Sequence, residues 1–586
     1  MARTGLLFLA CLAGAVPAVA QAPTSDRLAF NPDAFTTVRI TIDGQPVAVR
    51  RYRVVYVAKP VAIDTAATPR FGPPGGGPGG VDGGGIGPGA PTSNATAPAN
   101  GIGPMGAASD PYAYQTMYIY VPAATFRDGR AAIILQVNNG GWMASPARDI
   151  VQEGGTFSST SDTDNTGAAL KAGYVVVSAG TRGRGIRAIG GDWAGKSPAA
   201  IVDAKAAVRY LRYNDKAMPG SAQRIVITGT SGGGGLSAAV SASGNSPDYL
   251  PYLAAIGAAG VDANGRSSVR DDVFATIAYC PINDLGNADA AYEWQFGPVR
   301  TAANSSNGGY TPAAQAASAA LAASYPSVLA GLRLRREDGS AVTTDTLQQA
   351  VLGYVKASVE AAIARGERVP ALGEDFMVAR RGRPGAPPAT PARIRNQWLT
   401  VEGGQVRSID YAKYLSFVAE VQPLKGVPAF DATANTGATG VVGENTLFGS
   451  AKNPYANFTA YGWNNNEVRG DGSGRDDTGL DWAAYIAGPG AGLGRQLRLA
   501  SPIPYLNSGT SVAPYWYVRH GLVDRDIAFA SQATLVQAVR NAPKVKDVNF
   551  KLAWMQGHAG NYDVREAYGW LADTLRKAGR PTPSGR

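Results

Sequence analysis

Short β-branched runs and helical stripes take turns along much of this chain. Residues 37–42 and 48–57 are two such runs, and Asp43-Gly44 between them gives a hairpin signal. Further strands are predicted at 117–121, 133–137, 174–177, 224–228 and 275–280, most of them continuous apolar runs of the buried kind. Between them, 199–213 places Ile201, Ala204, Val208 and Leu211 on one helical face. Buried strands alternating with amphipathic helices predict an α/β chain with a mainly parallel sheet covered on both faces. The rhythm stops near Asp284 and returns near 505, with strands at 515–519 and 548–554 and helices at 527–539 and 564–577. In between, the chain is rich in Ala, Gly and Pro. One clear helix stands out there, with Leu347, Val351, Val355, Val359 and Ile363 on a stripe, capped by Asp345 and closed near Gly366. This predicts a core in two parts, 21–283 and 505–586, with a lid domain of residues 284–504 inserted between them.

Composition changes the picture at three places. The first 20 residues run from a basic start at Arg3 through an apolar stretch to Ala18-Val19-Ala20, the pattern of a secretory signal peptide cleaved after Ala20. From 71 to 110 the chain collapses to Gly, Pro, Ala and Ser, which cannot bury enough apolar surface to offset its ordering entropy, so a flexible insertion is expected. No later run is apolar enough to span a bilayer, and an exported protein, secreted or periplasmic, is expected. The net charge of +10 is scattered, and its densest patch, Arg380-Arg381-Gly382-Arg383, has no aromatic-studded basic face beside it, so no nucleic-acid partner is expected. Once Cys11 leaves with the leader, Cys280 is the only cysteine; an internal disulfide and a cysteine-based metal site are both excluded for the mature chain.

The chemistry gathers around Gly229-Thr230-Ser231-Gly232-Gly233. It follows a buried strand and precedes a small-residue helix, which is the setting in which G-x-S-x-G presents a nucleophile on a strained turn. A serine hydroxyl needs a base, usually a histidine oriented by a carboxylate, and the chain has only His520 and His558. In α/β-hydrolases the order is Ser, then Asp or Glu, then His. His558 follows the last strand in a glycine-flanked loop, with Asp524 and Asp526 between it and Ser231. His520 precedes both aspartates and reads as a structural histidine bonded to a loop carbonyl. For an oxyanion hole, the residue after the serine, Gly232, supplies one N–H, and the Asn139-Gly140-Gly141 turn after the 133–137 strand supplies another, most plausibly from Gly141.

Several stretches beyond the elbow resemble the bacterial tannases, tannin acyl hydrolases that cleave galloyl esters. They are Cys280-Pro281-Ile282-Asn283-Asp284-Leu285, Ala290-Ala291-Tyr292-Glu293-Trp294, residues 424–431, Arg519-His520-Gly521 running to Asp524-Arg525-Asp526, and Gly557-His558 running to Asn561-Tyr562-Asp563. The resemblance implies an α/β-hydrolase fold with a large inserted lid, the triad Ser231, Asp524 and His558, and no cofactor or metal. It also implies that Lys425, Glu444 and Asp526 meet the three phenolic hydroxyls of a galloyl ring. Around Glu444 the spacing is longer than the family pattern, and the Gly/Pro tract departs from it too. Lys425 paired with a lid carboxylate, and Asp526 capping the helix near Ile527, remain open as structural alternatives. The expected partner is a small galloyl or phenolic ester. A feruloyl or other phenolic-ester hydrolase keeps the triad without the polar trio. A binding protein on the same scaffold needs neither.

Overall fold

The computed structural model describes residues 28–66, 109–306, 310–378, 391–431, 443–466 and 474–579. The leader, residues 71–108 of the Gly/Pro tract and the Arg380-to-Arg383 patch lie outside them. Ten strands form one sheet: β1 (Thr36–Ile42), β2 (Gln45–Val55), β3 (Thr116–Pro122), β4 (Ile133–Val137), β5 (Thr156–Phe157), β6 (Val175–Ala179), β7 (Ile225–Thr230), β8 (Ala275–Tyr279), and, after two short hairpins, β13 (Tyr515–Gly521) and β14 (Asp547–Ala553). The hairpins are β9 (Asp375–Val378) with β10 (Ala392–Arg395) and β11 (Leu399–Glu402) with β12 (Gln405–Ile409). The sheet order is β14-β13-β8-β7-β4-β6-β3-β2-β1-β5. From β14 through β6 every neighbouring pair is parallel, while β3, β2 and β1 continue antiparallel.

Alternation along the strands divides the core, since successive side chains leave opposite faces. Ile134, Val176, Val226 and Ile277 point to one face with Leu170 of helix α1 (Asn165–Lys171) and Leu571 of the terminal helix (Val564–Ala578). Ile133, Leu135, Val177 and Ile227 point to the other, under α2 (Ala199–Tyr213) and α3 (Gly232–Ala242). The mainly parallel sheet with helices on both faces is therefore observed. Because the central strands run the same way, the turns after β4, β6, β7, β8, β13 and β14 gather at one edge, where such sheets place their sites.

The stretch from 284 to 504 holds more regular structure than its composition suggests. It opens with α4 (Leu285–Phe296) and α5 (Pro312–Gly331), then α6 (Thr344–Ala364). On α5 the buried positions are Ala314, Ala317, Ser318, Leu321, Tyr325 and Leu329, half of them too small to stand out as a stripe. The cap of α6 is Thr343, whose hydroxyl accepts from the Thr346 N–H, and not Asp345, which lies in the first turn. This chain shares the hydrolase core: α6 and α4 pack against α7 (Phe529–Asn541), and Tyr354 of α6 meets Phe550 of β14 edge-on at 4.7 Å. Helix α7 begins two residues later than its sequence pattern predicts.

Candidate active site

Ser231 directly follows β7 and stands just before α3 with φ 62° and ψ −124°, a conformation that few side-chain-bearing residues adopt. What holds it is the closeness of its surroundings. A Cβ on Gly229 would lie 2.9 Å from the Val137 carbonyl oxygen, and one on Gly233 only 2.7 Å from the same atom. One on Gly232 would strike the Trp142 nitrogen and the Asn139 oxygen. The Ser231 N–H donates to the Tyr279 carbonyl (2.9 Å) and its own carbonyl accepts from Ile282 (3.0 Å), so β8 braces the turn from the other side. Both glycines of G-x-S-x-G are thus required by close backbone approach.

His558 Nε2 lies 2.8 Å from Ser231 Oγ and its Nδ1 2.8 Å from Asp524 Oδ2. A carboxylate can only accept, so Nδ1 carries the proton and Nε2 is free to accept the serine hydroxyl's. Asp524 is fully buried, and its other oxygen takes the Asp526 N–H at 2.8 Å. Burial alone would lower the His558 pKa, but the Asp524 carboxylate, with Asp526 behind it, overrides this and holds it well above the ordinary value. Burial likewise would raise Asp524, but His558, through its charge and its hydrogen bond, draws it well below the usual carboxylate range. Tautomer and orientation are those of a histidine placed to take a proton from serine once it is neutral.

His520 is not bonded to a loop carbonyl. It is completely buried, its Nδ1 lies 3.2 Å from Asp524 Oδ2 without hydrogen-bonding geometry, and Phe529 meets it edge-on at 5.2 Å. Burial, opposed by Asp524, pushes its pKa down to about 4, so it stays neutral. Cys280 is a second neighbour that the sequence did not place here. Its buried thiol donates to the Ala559 carbonyl, and among the described residues its sulfur and the ligand atoms of Asp524 and His558 form a group within 4.8 Å of one another. These are metal-donor types. Both ring nitrogens of His558 already have partners in Ser231 and Asp524.

The turn from Asn139 to Trp142 lies against the start of α3. Gly141 has φ 56° there, and the Trp142 indole donates to the Ile282 carbonyl (3.1 Å). The N–H groups at the start of a helix have no intrahelical partner, so Gly232 offers a donor beside this turn. Arg184, in the loop after β6, donates from Nε to the Gly141 carbonyl. That side chain was missed from sequence; its available signal was the position after a strand at the site edge.

Glu444 is buried, and the neighbouring Gly443 packs directly on the Arg184 guanidinium. Asp526 Oδ2 stands 3.9 Å from His558 Nδ1 and pairs with Arg525. It does not cap α7, whose cap is Ala528. Lys425 places Nζ 3.8 Å from the centre of the Phe430 ring, and among the described residues it makes no ion pair, so the alternative of a bridge to a lid carboxylate finds no support there. Its backbone N–H donates to the Tyr292 hydroxyl, which donates to the Arg525 carbonyl. Glu444 therefore connects with the Gly141 turn and Lys425 with the Asp524–Asp526 loop, while no ion pair joins any two of the trio among the described residues.

The family model BD-FAE, of the α/β-hydrolases, matches residues 117–309. Among solved structures, a Fusobacterium nucleatum tannase superimposes with a TM-score of 0.66 at 28% identity, over 94% of this chain and 99% of its own. The Lactobacillus plantarum tannin acyl hydrolase gives 0.68 at 28% identity and the same coverage. A tannin acyl hydrolase complexed with 3,4-dihydroxybenzoate gives 0.69, again at 28% identity over 94% and 99%. No curated protein matches the chain. The resemblance to bacterial tannases carried by the motifs is met by the structure along nearly the whole chain. The chain is an ester hydrolase with the α/β-hydrolase fold, similar in structure to the tannases.

Proposed function

We propose that this is an exported serine esterase that hydrolyses galloyl esters to gallic acid and an alcohol. The observation that carries the reading is the chain of contacts from Ser231 Oγ to His558 Nε2, and from His558 Nδ1 to Asp524, each 2.8 Å, on a scaffold like that of a tannin acyl hydrolase solved with ethyl gallate. Ser231 attacks the ester carbonyl as His558 takes its proton. The oxyanion is received by the N–H groups of Gly232 and Gly141. His558 then returns the proton to the departing alkoxide, which leaves an acyl-serine. Water repeats the sequence with His558 as base and releases the acid. The chain from 284 to 504 acts as the lid, bringing Lys425 and Glu444 to the acyl side where, with Asp526, they meet the ring hydroxyls.

The test is a panel of methyl gallate, methyl ferulate, methyl benzoate and a simple acyl ester, with serine-directed fluorophosphonate labelling alongside. Labelling at Ser231 and gallate turnover far above benzoate are expected. Benzoate within tenfold of gallate would remove the galloyl assignment, and preference for ferulate would replace it with the hydroxycinnamoyl one. Absence of labelling in folded protein would remove the esterase mechanism itself.

A further inference from the structure

The site has one charged side chain with no part in the mechanism above. Arg184 is only 7% exposed, and it lies between the Gly141 turn and Gly443. Its backbone is laced into the Gly141 turn: its N–H donates to the Trp142 carbonyl (2.9 Å), and its carbonyl accepts from Ala144 (3.3 Å). Its side chain returns to the same turn, with Nε on the Gly141 carbonyl. The far end of the guanidinium packs against Gly443 so closely that no Cβ fits there, next to Glu444. Burial lowers its pKa and the Glu444 carboxylate opposes that, so the two charges act on each other. Among the described residues neither terminal nitrogen has a hydrogen-bond partner. Neither is among the fully buried atoms that lack a partner, so both remain reachable, and a phenolic hydroxyl can accept from this planar fork.

We infer that Arg184 is a specificity-determining and positioning residue that links recognition of the acyl ring at Glu444 to the oxyanion turn at Gly141. Its terminal nitrogens donate to a ring hydroxyl that Glu444 also engages, and its Nε then holds the Gly141 peptide in place. A ring without hydroxyls leaves the fork unmet and the turn less firmly held. Hydroxyl recognition is therefore expressed in turnover more than in binding, since the contact is completed where the oxyanion forms. This inference rests on the galloyl reading.

The experiment measures kcat and KM separately for methyl gallate and methyl benzoate in wild type, Arg184→Met, Arg184→Lys, Glu444→Gln and the Arg184→Met/Glu444→Gln double variant, with labelling and Tm for each. In wild type the gallate preference should lie mainly in kcat. Arg184→Met should lower kcat on gallate roughly 100-fold, as expected for two lost charge-assisted hydrogen bonds, and on benzoate by less than about fivefold. The same change made in the Glu444→Gln background should cost far less than in wild type. Arg184→Lys keeps the charge without the fork, so its kcat on gallate should stay low at a KM near that of wild type, and it covers the case of a Met variant that fails to fold. A folded, labelled variant that lowers both substrates equally, or raises KM alone, overturns the inference. A wild type without gallate preference removes the galloyl reading instead. Arg184 is then judged on the oxyanion side alone: unchanged kcat on both esters in Arg184→Met overturns the link to Gly141, and a fall on both leaves that link standing without ring recognition.

Discussion

The two halves of the site are held by different physics. Ser231, Asp524 and His558 stand in turns that directly follow β7, β13 and β14, so their relative placement is set by the parallel register of the sheet. Lys425 and Glu444 belong to no strand of that sheet and stand on chain held by buried polar side chains. Asp431 alone accepts from the N–H groups of Phe458 and Thr459, the Thr459 hydroxyl and the amides of Asn445 and Asn457. Asp289 accepts from the backbone of Phe430 and Asp431; burial, and then its neighbour Asp431, push it up to about 7. Lys196 donates to the carbonyls of Thr446, Phe448 and Pro454 at 2.7 to 2.9 Å, and Arg300 to that of Lys425 at 2.7 Å. A sheet edge tolerates change at its margins, whereas such a network fails when one member is left unsatisfied. The two halves therefore answer differently to substitution, with Arg184 as the contact between Glu444 and the Gly141 turn, and the contrast is open to direct attack.

The largest effect is expected from the sheet side. Ser231→Ala and His558→Ala should each reduce turnover by roughly 10⁴ to 10⁶, and the double variant little further, because members of such a unit are not additive. Additive losses in kcat would break the contrast at its firmer end. On the other side, Lys425→Ala or Glu444→Ala should lower gallate turnover by about 10- to 100-fold with benzoate nearly unchanged, the cost of leaving hydroxyl partners unpaired. Equal losses on both esters, with a fall in Tm, would mean that these residues only support the structure.

A pH profile sharpens the same distinction. His558 works as a base only when neutral, and Asp524 holds its pKa above the ordinary value. The acid limb of kcat should thus fall about tenfold per unit below a midpoint higher than the usual histidine value of about 6.5. Stability leans the other way. A raised folded pKa stabilises fully below the unfolded value, and that gain is lost as pH rises through the folded one. The Lys425 and Glu444 variants should leave the limb in place, and a displaced limb would show that the two halves are electrically coupled. The smallest change is expected at His520→Gln, which removes a neutral ring beside Asp524 and should cost only a few-fold in kcat at unchanged KM, a loss of about 1 kcal/mol or less. A dead but folded variant would transfer the base role to His520.

The sheet side was legible in the sequence because its determinants are local. A β-branched strand, G-x-S-x-G, two histidines and the order of the acidic residues locate Ser231, Asp524 and His558 before any coordinates. Arg184 and Cys280 were not legible as site residues, since each reaches the site through contacts over long sequence separations, Arg184 with Gly141 and Gly443, Cys280 with Ala559. His520 was misplaced for a similar reason: a strand residue's partner depends on how the next turn folds back, and here Asp524 returns to it. The α4 and α5 helices were hidden by alanine, which favours helix strongly but leaves no stripe to read.

The four glycines that open α3 carry a consequence for how the protein assembles. Each costs about 1 kcal/mol of helix propensity relative to alanine, so this first turn has little tendency to form alone. Its walls are Val137 and Asn139, Trp142, and the backbone of Tyr279 and Ile282, supplied by strands far apart in the chain. The nucleophile's shape is therefore acquired only once β4, β7 and β8 have docked. During refolding, esterase activity and fluorophosphonate reactivity should return after helical circular dichroism, with amide protection at Gly232 to Gly235 among the last signals to appear.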